Sequence, residues 1–406
     1  MPWGAPCAPD LMFILENTIQ TYSWGSRTAI ANLRGEPAPS RQPQAELWMG
    51  THPRGPSRRA TSPRELLSRC VERDPASTLG ARVVGAFGVR LPFLLKVLAA
   101  AEPLSLQAHP SQQQAEAGYD REHAAGVDAD APERNYRDRN HKPELLCALT
   151  GFDALCGFRP VPSSSQLLDA LGVPILTRLA RLLVQGSPQR GLREAFTQLM
   201  QLPPDLRPAL VAETAAACQR VAQAGGPFAS DCAWIVRLAA KYDGDVGVVS
   251  ALLLNNVHLE PGEAIFLPAG NLHAYLSGAG VEIMASSDNV LRGGLTNKHV
   301  DVTELLRVLD FSAHDPKPSR GVECAPHEIV YEAPAPDFRL SRISVSGRTW
   351  SGVTTGPEIL LCTSGTATLR GGTELKLGSG QSAFVPAATG TYTVAGSATV
   401  FRATVP

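Results

Sequence analysis

No Cys-x-x-Cys pair occurs among the eight cysteines, Cys7, Cys70, Cys147, Cys156, Cys218, Cys232, Cys324 and Cys362. Their scatter argues against a thiolate zinc site and against a small disulfide scaffold, and fits a reducing compartment. Neither sign of charge is in excess, with 37 Lys plus Arg against 38 Asp plus Glu. Without a global basic field the chain is expected to bind neither nucleic acid nor membrane, and any recognition of an anion must be local. No apolar run reaches the ~20 residues of a membrane span; the nearest, Leu91-Pro-Phe-Leu-Leu-Lys-Val-Leu, is broken by Lys96. The opening Met1-Pro-Trp-Gly-Ala-Pro-Cys lacks the basic start and apolar stretch of a secretory signal. A cytoplasmic, monomeric protein is expected.

What is present is enough chain for several cores: 406 residues, against about 150 per domain. Between about 160 and 240, Leu167, Leu168, Leu171, Ile175, Leu179 and Leu182 recur at three and four, as do Leu192, Ala195, Phe196 and Leu199. That period is helical, and Pro174 and Pro203-Pro204 mark helix starts or breaks. The flanks carry short β-type runs rich in Gly, Pro and Thr. One stretch repeats without a gap: Leu259-Glu-Pro-Gly-Glu-Ala-Ile-Phe-Leu-Pro-Ala-Gly aligns with Leu377-Gly-Ser-Gly-Gln-Ser-Ala-Phe-Val-Pro-Ala-Ala. In each copy a glycine turn feeds a short strand that ends at a proline, as where jelly-roll strands meet.

The expected fold is therefore mainly β with an α-helical insertion: a catalytic jelly-roll domain (8–158 plus 241–318), a helical domain (159–240) and a degenerate jelly-roll domain (319–406). The proline-rich stretch from Asp315 to Pro336 reads as the linker between the β units. The charged, aperiodic segment Ser111 to Asn140 reads as a long loop, either a flap or solvated surface.

Chemistry enters at Gln107 and His109, in Leu104-Ser-Leu-Gln-Ala-His-Pro. In a strand, alternate side chains share a face, so the amide and the imidazole point together. Alone the triplet is ordinary strand sequence. Two further candidates stand in strand-like settings, Glu144 in Asn140-His-Lys-Pro-Glu and His273 in Gly270-Asn-Leu-His-Ala-Tyr. The place of His273 in the repeat is taken by Thr391 in the second copy, so metal chemistry is expected in the first unit only. Four N and O ligands without thiolate suit Zn²⁺, with Mn²⁺, Fe²⁺ or Co²⁺ open on the same hardness argument. Such a centre polarises a carbonyl or holds an enediolate.

Other ionisable groups surround these positions. Lys142 shares the face of Glu144 if the segment is extended, whereas His141 faces the other way unless Pro143 bends the chain. Glu282 follows His273, and Asp288, Arg292 and Lys298 lie in Ser287-Asp-Asn-Val-Leu-Arg-Gly-Gly-Leu-Thr-Asn-Lys. A lysine near a cation can serve as base, while arginine stays charged and suits phosphate or enediolate.

The repeat resembles the sugar-handling cupin motif. Tyr22-Ser-Trp-Gly-Ser, Ala45-Glu-Leu-Trp-Met-Gly-Thr-His-Pro and the runs containing Lys96, His109, Glu144, His273 and Arg292, in that order, resemble the type I mannose-6-phosphate isomerases. The resemblance implies a cupin fold, one Zn²⁺ held by Gln107, His109, Glu144 and His273, and interconversion of mannose 6-phosphate and fructose 6-phosphate. It makes Arg292 catalytic, with Lys142, His141, Glu282 and Asp288 as further catalytic candidates, and Ser105, Lys96, Tyr275 and Lys298 as substrate-binding ones. The partner implied is a small phosphosugar. Asn297, where proline is common, and Arg137 and Arg139, where acidic residues are frequent, depart from the pattern. The alternative reading is a metal-binding cupin that holds a phosphosugar without turning it over; a cupin dioxygenase would want a His-x-His cluster, which is missing.

Overall fold

The structure, a computed structural model, describes residues 12–406. Cys7, the reading of the opening residues and the first positions of the expected 8–158 segment lie outside them. The described chain forms two ten-stranded sheets, whose strand pairings are antiparallel, and a helical insertion.

In the first sheet the order is Ala264–Leu267, Glu144–Ala148, His273–Ala285, Phe93–Ala100, Glu46–Met49 and Thr18–Gln20. The strand His273–Ala285 serves two layers: from Gly278 onward it pairs with Phe93–Ala100, while its first residues pair with Phe152–Phe158 and with Gln107. Gly278, with φ of 119°, sits at this changeover, where a Cβ would meet the Gly151 carbonyl at 2.6 Å. No other residue fits there without strain.

Alternation sorts the sheet into an apolar and a charged face. Leu47, Met49, Leu95, Val97, Leu145 and Ile283 point into a core shared with Phe338 and with Leu340, Ile359, Leu361 and Phe384 of the second sheet. Each such side chain contributes ~1.5–3 kcal/mol by leaving water, and this core holds the two sheets together. On the opposite face Trp48, Lys96 and Glu282 stand in one cross-strand row. The site is built on that face.

The second sheet contains Glu328–Tyr331, Arg339–Ser346, Thr391–Thr404, Glu358–Arg370 and Ser382–Val385. It bears out the β repeat in detail. Ser382–Val385, Pro386 and Thr391–Thr404 reproduce Ala264–Leu267, Pro268 and His273–Ala285. Gly262 and Gly380 both turn through positive φ (86° and 77°), and Gly278 and Gly396 both sit near 118° (119° and 117°). The latter pair keeps the register of the repeat beyond the aligned twelve residues.

The helical insertion comprises Val161–Leu171, Pro174–Leu183, Pro188–Met200, Arg207–Ala224 and Ala229–Lys241. Pro174 and Pro188 open their helices, where the missing N–H costs nothing. The periodic leucines named above are buried, except Ile175 and Leu182, which are half-buried against the same core.

Three expectations need correction. Phe13–Glu16 pairs with Ser382–Val385 and so lies in the second sheet, although the 8–158 segment groups it with the first unit. Val322–Ala325 and Glu328–Tyr331 form a hairpin on the second sheet, inside the stretch read as linker. The loop expected from Ser111 begins as a helix, Gln112–Ala124. Ser111 and Gln114 form a reciprocal capping box there. The helix buries only Ala115 and Gly118, which left no apolar period to read. Gly118 is needed because a Cβ would lie 2.4 Å from the Tyr136 ring.

Candidate metal centre and anion pocket

His109, Glu144 and His273 converge from three separate segments. Their ligand atoms lie within 4.8 Å of one another, and all three residues are buried. His109 Nε2 is 3.2 Å from Glu144 Oε1, and His273 Nε2 is 3.4 Å from Glu144 Oε2. Each imidazole is oriented through its other nitrogen: His109 Nδ1 donates to the Asn289 carbonyl at 2.7 Å and His273 Nδ1 to the Asn271 carbonyl at 3.0 Å. With Nδ1 protonated, a neutral ring turns an Nε2 lone pair toward the carboxylate. Burial and the Lys142 ammonium push His109 down to about 4, so its ring is neutral at ordinary pH. Lone pairs facing a carboxylate at this range repel unless a cation lies between them. His109 Nε2, His273 Nε2 and Glu144 Oε2 also have no hydrogen-bond partner, which costs roughly 1–3 kcal/mol each if unrelieved. The donor set fits a divalent metal, with both histidines anchored in the outer layer as metal-binding histidines are.

Gln107 pairs directly across the strands with His273 on one side and with Arg292 on the other. Directly opposed residues project from the same face, so the Gln107 amide lies beside His273. Ser105 immediately precedes the strand Leu106–Ala108 and is half-buried.

Lys142 and Glu144 do share a face: Lys142 Nζ lies 3.2 Å from Glu144 Oε1. His141 points elsewhere, its Nε2 bonded to Asp337 Oδ2 at 2.7 Å. Pro143 therefore does not bend the chain enough to bring both into the pocket.

Lys96, Glu282 and Tyr275 form a buried layer behind the ligands. Lys96 Nζ lies 3.3 Å from Glu46 Oε1 and 3.2 Å from Glu282 Oε2, and Tyr275 donates to Glu282 Oε1 at 2.9 Å. Burial disfavours the Lys96 ammonium, but Glu46 and Glu282 outweigh it and hold Lys96 above its ordinary range. Burial and the nearby Glu144 raise Glu282, against the pull of Lys96. With its hydroxyl on Glu282 and its ring 1% exposed, Tyr275 is a wall of the site.

Asp288 accepts from His52 Nε2 at 3.2 Å and from Arg54. Burial would raise its carboxyl, yet these two partners hold it well below the usual carboxylate range. Arg292 is depressed by burial and then by Arg137; Lys298 by burial and then by Arg292, Arg54 and Arg137. Among the described residues no carboxylate pairs with Arg292 or Lys298. Clustered cations without a counter-charge are what a doubly charged anion relieves.

Sequence reasoning missed Glu46, Trp48, His52, Arg54 and Asn289 as participants. The signal for the first two was available: Glu46 and Trp48 alternate onto the Lys96 face, and Trp48 Nε1 donates to Glu46 Oε2 at 2.8 Å.

Comparison with known proteins agrees with this geometry. Residues 12–161 match the family described as phosphomannose isomerase type I, catalytic domain, and residues 328–405 the mannose-6-phosphate isomerase cupin domain. The mannose-6-phosphate isomerase of Escherichia coli K12 is 40% identical over 96% of this chain and 98% of its own. That of Homo sapiens is 35% identical over 84% of each. A crystal structure of a mannose 6-phosphate isomerase with zinc bound superposes with a TM-score of 0.88 at 36% identity, covering 98% of this chain and all (100%) of that one.

Proposed function

Because the chain belongs to the type I phosphomannose isomerase family, we infer that it interconverts mannose 6-phosphate and fructose 6-phosphate. It is a metal-dependent aldose-ketose isomerase with a cupin fold and takes one Zn²⁺. The observation that carries the reading is the trio of unpartnered buried ligand atoms on His109, Glu144 and His273. We assign the ligand set to these three and Gln107. A zinc ion bound there supplies Lewis acidity toward the sugar oxygens and favours the negative charge that develops on them.

The roles of the chain's own residues are proposed from how far each is already committed. Arg292 and Lys298, without carboxylate partners, hold the phosphate end and Arg292 reaches toward the enediolate from its place beside Gln107. The reaction removes the proton from C2 of the open-chain aldose and delivers one to C1 through a cis-enediol. Glu282 is occupied by Lys96 and Tyr275, Asp288 by His52 and Arg54, and His141 by Asp337. Lys142 is also paired, but with the ligand Glu144; a metal held by Glu144 would claim that carboxylate, which makes Lys142 our candidate for the proton transfer. Ser105 lines the sugar face, and Lys96, Glu282 and Tyr275 support the ligands from behind.

Division into 8–158 plus 241–318, 159–240 and 319–406 remains our reading of the domains, with the N-terminal strand lent to the second sheet. The balance of charge and the burial of all described cysteines but Cys324 support a cytoplasmic monomer without affinity for nucleic acid. Among the described residues no helix is long and apolar enough to cross a membrane.

A coupled assay tests the activity: zinc-replete protein should form fructose 6-phosphate from mannose 6-phosphate and run the reverse reaction. Stoichiometric binding of mannose 6-phosphate without turnover would instead identify a phosphosugar-binding cupin.

A further inference from the structure

Asn289 is fully buried, at 0% exposure, and joins three parts of the site. Its main-chain carbonyl accepts from His109 Nδ1 at 2.7 Å. Its Oδ1 accepts the main-chain N–H groups of Arg137 at 2.7 Å and Asp138 at 3.1 Å. Its Nδ2 donates to the carbonyls of Asp138 at 2.8 Å and Asn140 at 2.9 Å. The loop held in this way leads directly into Lys142 and Glu144. One residue therefore fixes the ring of one metal ligand and the approach of the chain that carries another, while the two ligands come from segments far apart in sequence.

We propose that Asn289 is a positioning residue of the metal centre, setting the separation of His109 from Glu144 and hence the affinity for the metal. The proposal rests on the assignment of His109, Glu144 and His273 as ligands. The carboxamide is specified by its surroundings. Both N–H bonds go to carbonyls and the oxygen accepts from two N–H groups, so a donor end and an acceptor end are both required. Aspartate has the same shape but no donors, and its second oxygen would face two carbonyl oxygens. The loop would move away from Asn289 at that end, and Glu144 would move with it.

The test compares Asn289→Asp and Asn289→Ala with the parent full-length chain, reading Zn²⁺ affinity by competition with a chromophoric chelator, kcat and KM at saturating Zn²⁺, and Tm of the metal-free proteins. Outer-layer changes of this kind cost about 10- to 100-fold in metal affinity, so Asn289→Asp should weaken Zn²⁺ by at least about 10-fold, with KM for mannose 6-phosphate changed little. Asn289→Ala, which keeps the carbonyl to His109 and adds no charge, should fall between the parent and Asn289→Asp. Parental Zn²⁺ affinity in a folded variant, whatever its Tm, would overturn the proposal and leave Asn289 a purely structural residue. If Asn289→Asp does not fold, Asn289→Ala decides by the same criterion. Failure of the parent itself to bind Zn²⁺ in that titration would sink the ligand assignment instead.

Discussion

Arg292→Ala is expected to lower kcat for mannose 6-phosphate on the order of 10²- to 10³-fold, the range for removing one preorganised donor aimed at developing negative charge. KM should rise far less. The reason is placement. Arg292 stands across the strand pair from Gln107, in the same row as His273, whereas Lys298 lies six residues on, at the exposed end of the segment. With Lys298 still in place, phosphate binding survives in part, while stabilisation of the enediolate does not. Steady-state kinetics in both directions checks this. A near-normal kcat with a raised KM would make Arg292 a binding residue only.

Glu144→Gln carries the second large effect. Zinc content should drop well below one per chain, and turnover should fall by about 10³-fold or more, since a metal acting as Lewis acid supplies several kcal/mol. The variant also separates metal binding from folding. In the metal-free parent two imidazole lone pairs face a carboxylate; in the variant a carboxamide N–H can donate to one of them. The substitution also takes the carboxylate from the buried Lys142 ammonium, so the reading that reports on the metal is the rise in Tm that zinc gives the parent by mass action, which the variant should lose. A variant that binds zinc with parental affinity would remove Glu144 from the ligand set.

These two positions also show what a sequence makes legible. The Gln107 and His109 pair could be read because strand alternation is local, and His273 because the repeat places Thr391 opposite it at the start of an equivalent strand. The helical insertion could be read from its leucine period. What escaped depends on partners distant in sequence. Nothing in Phe13–Glu16 says that it pairs with Ser382–Val385 rather than with its neighbours. The Gln112–Ala124 helix buries too little to leave a period, although its capping box was present in Ser111 and Gln114. His52 and Asn289 matter through Asp288 and through the 137–140 loop, contacts that exist only after the sheet closes. Lys142 and His141 illustrate the middle ground: alternation separated their faces correctly, but only the structure shows Asp337 receiving the histidine.

The most direct test of the account is to strip the purified protein with a chelator and titrate Zn²⁺ back while following fructose 6-phosphate formation from mannose 6-phosphate. Activity should be abolished in the stripped protein and should return linearly, breaking at one equivalent of zinc per chain. Full turnover by protein holding far less than one metal ion per chain would contradict it.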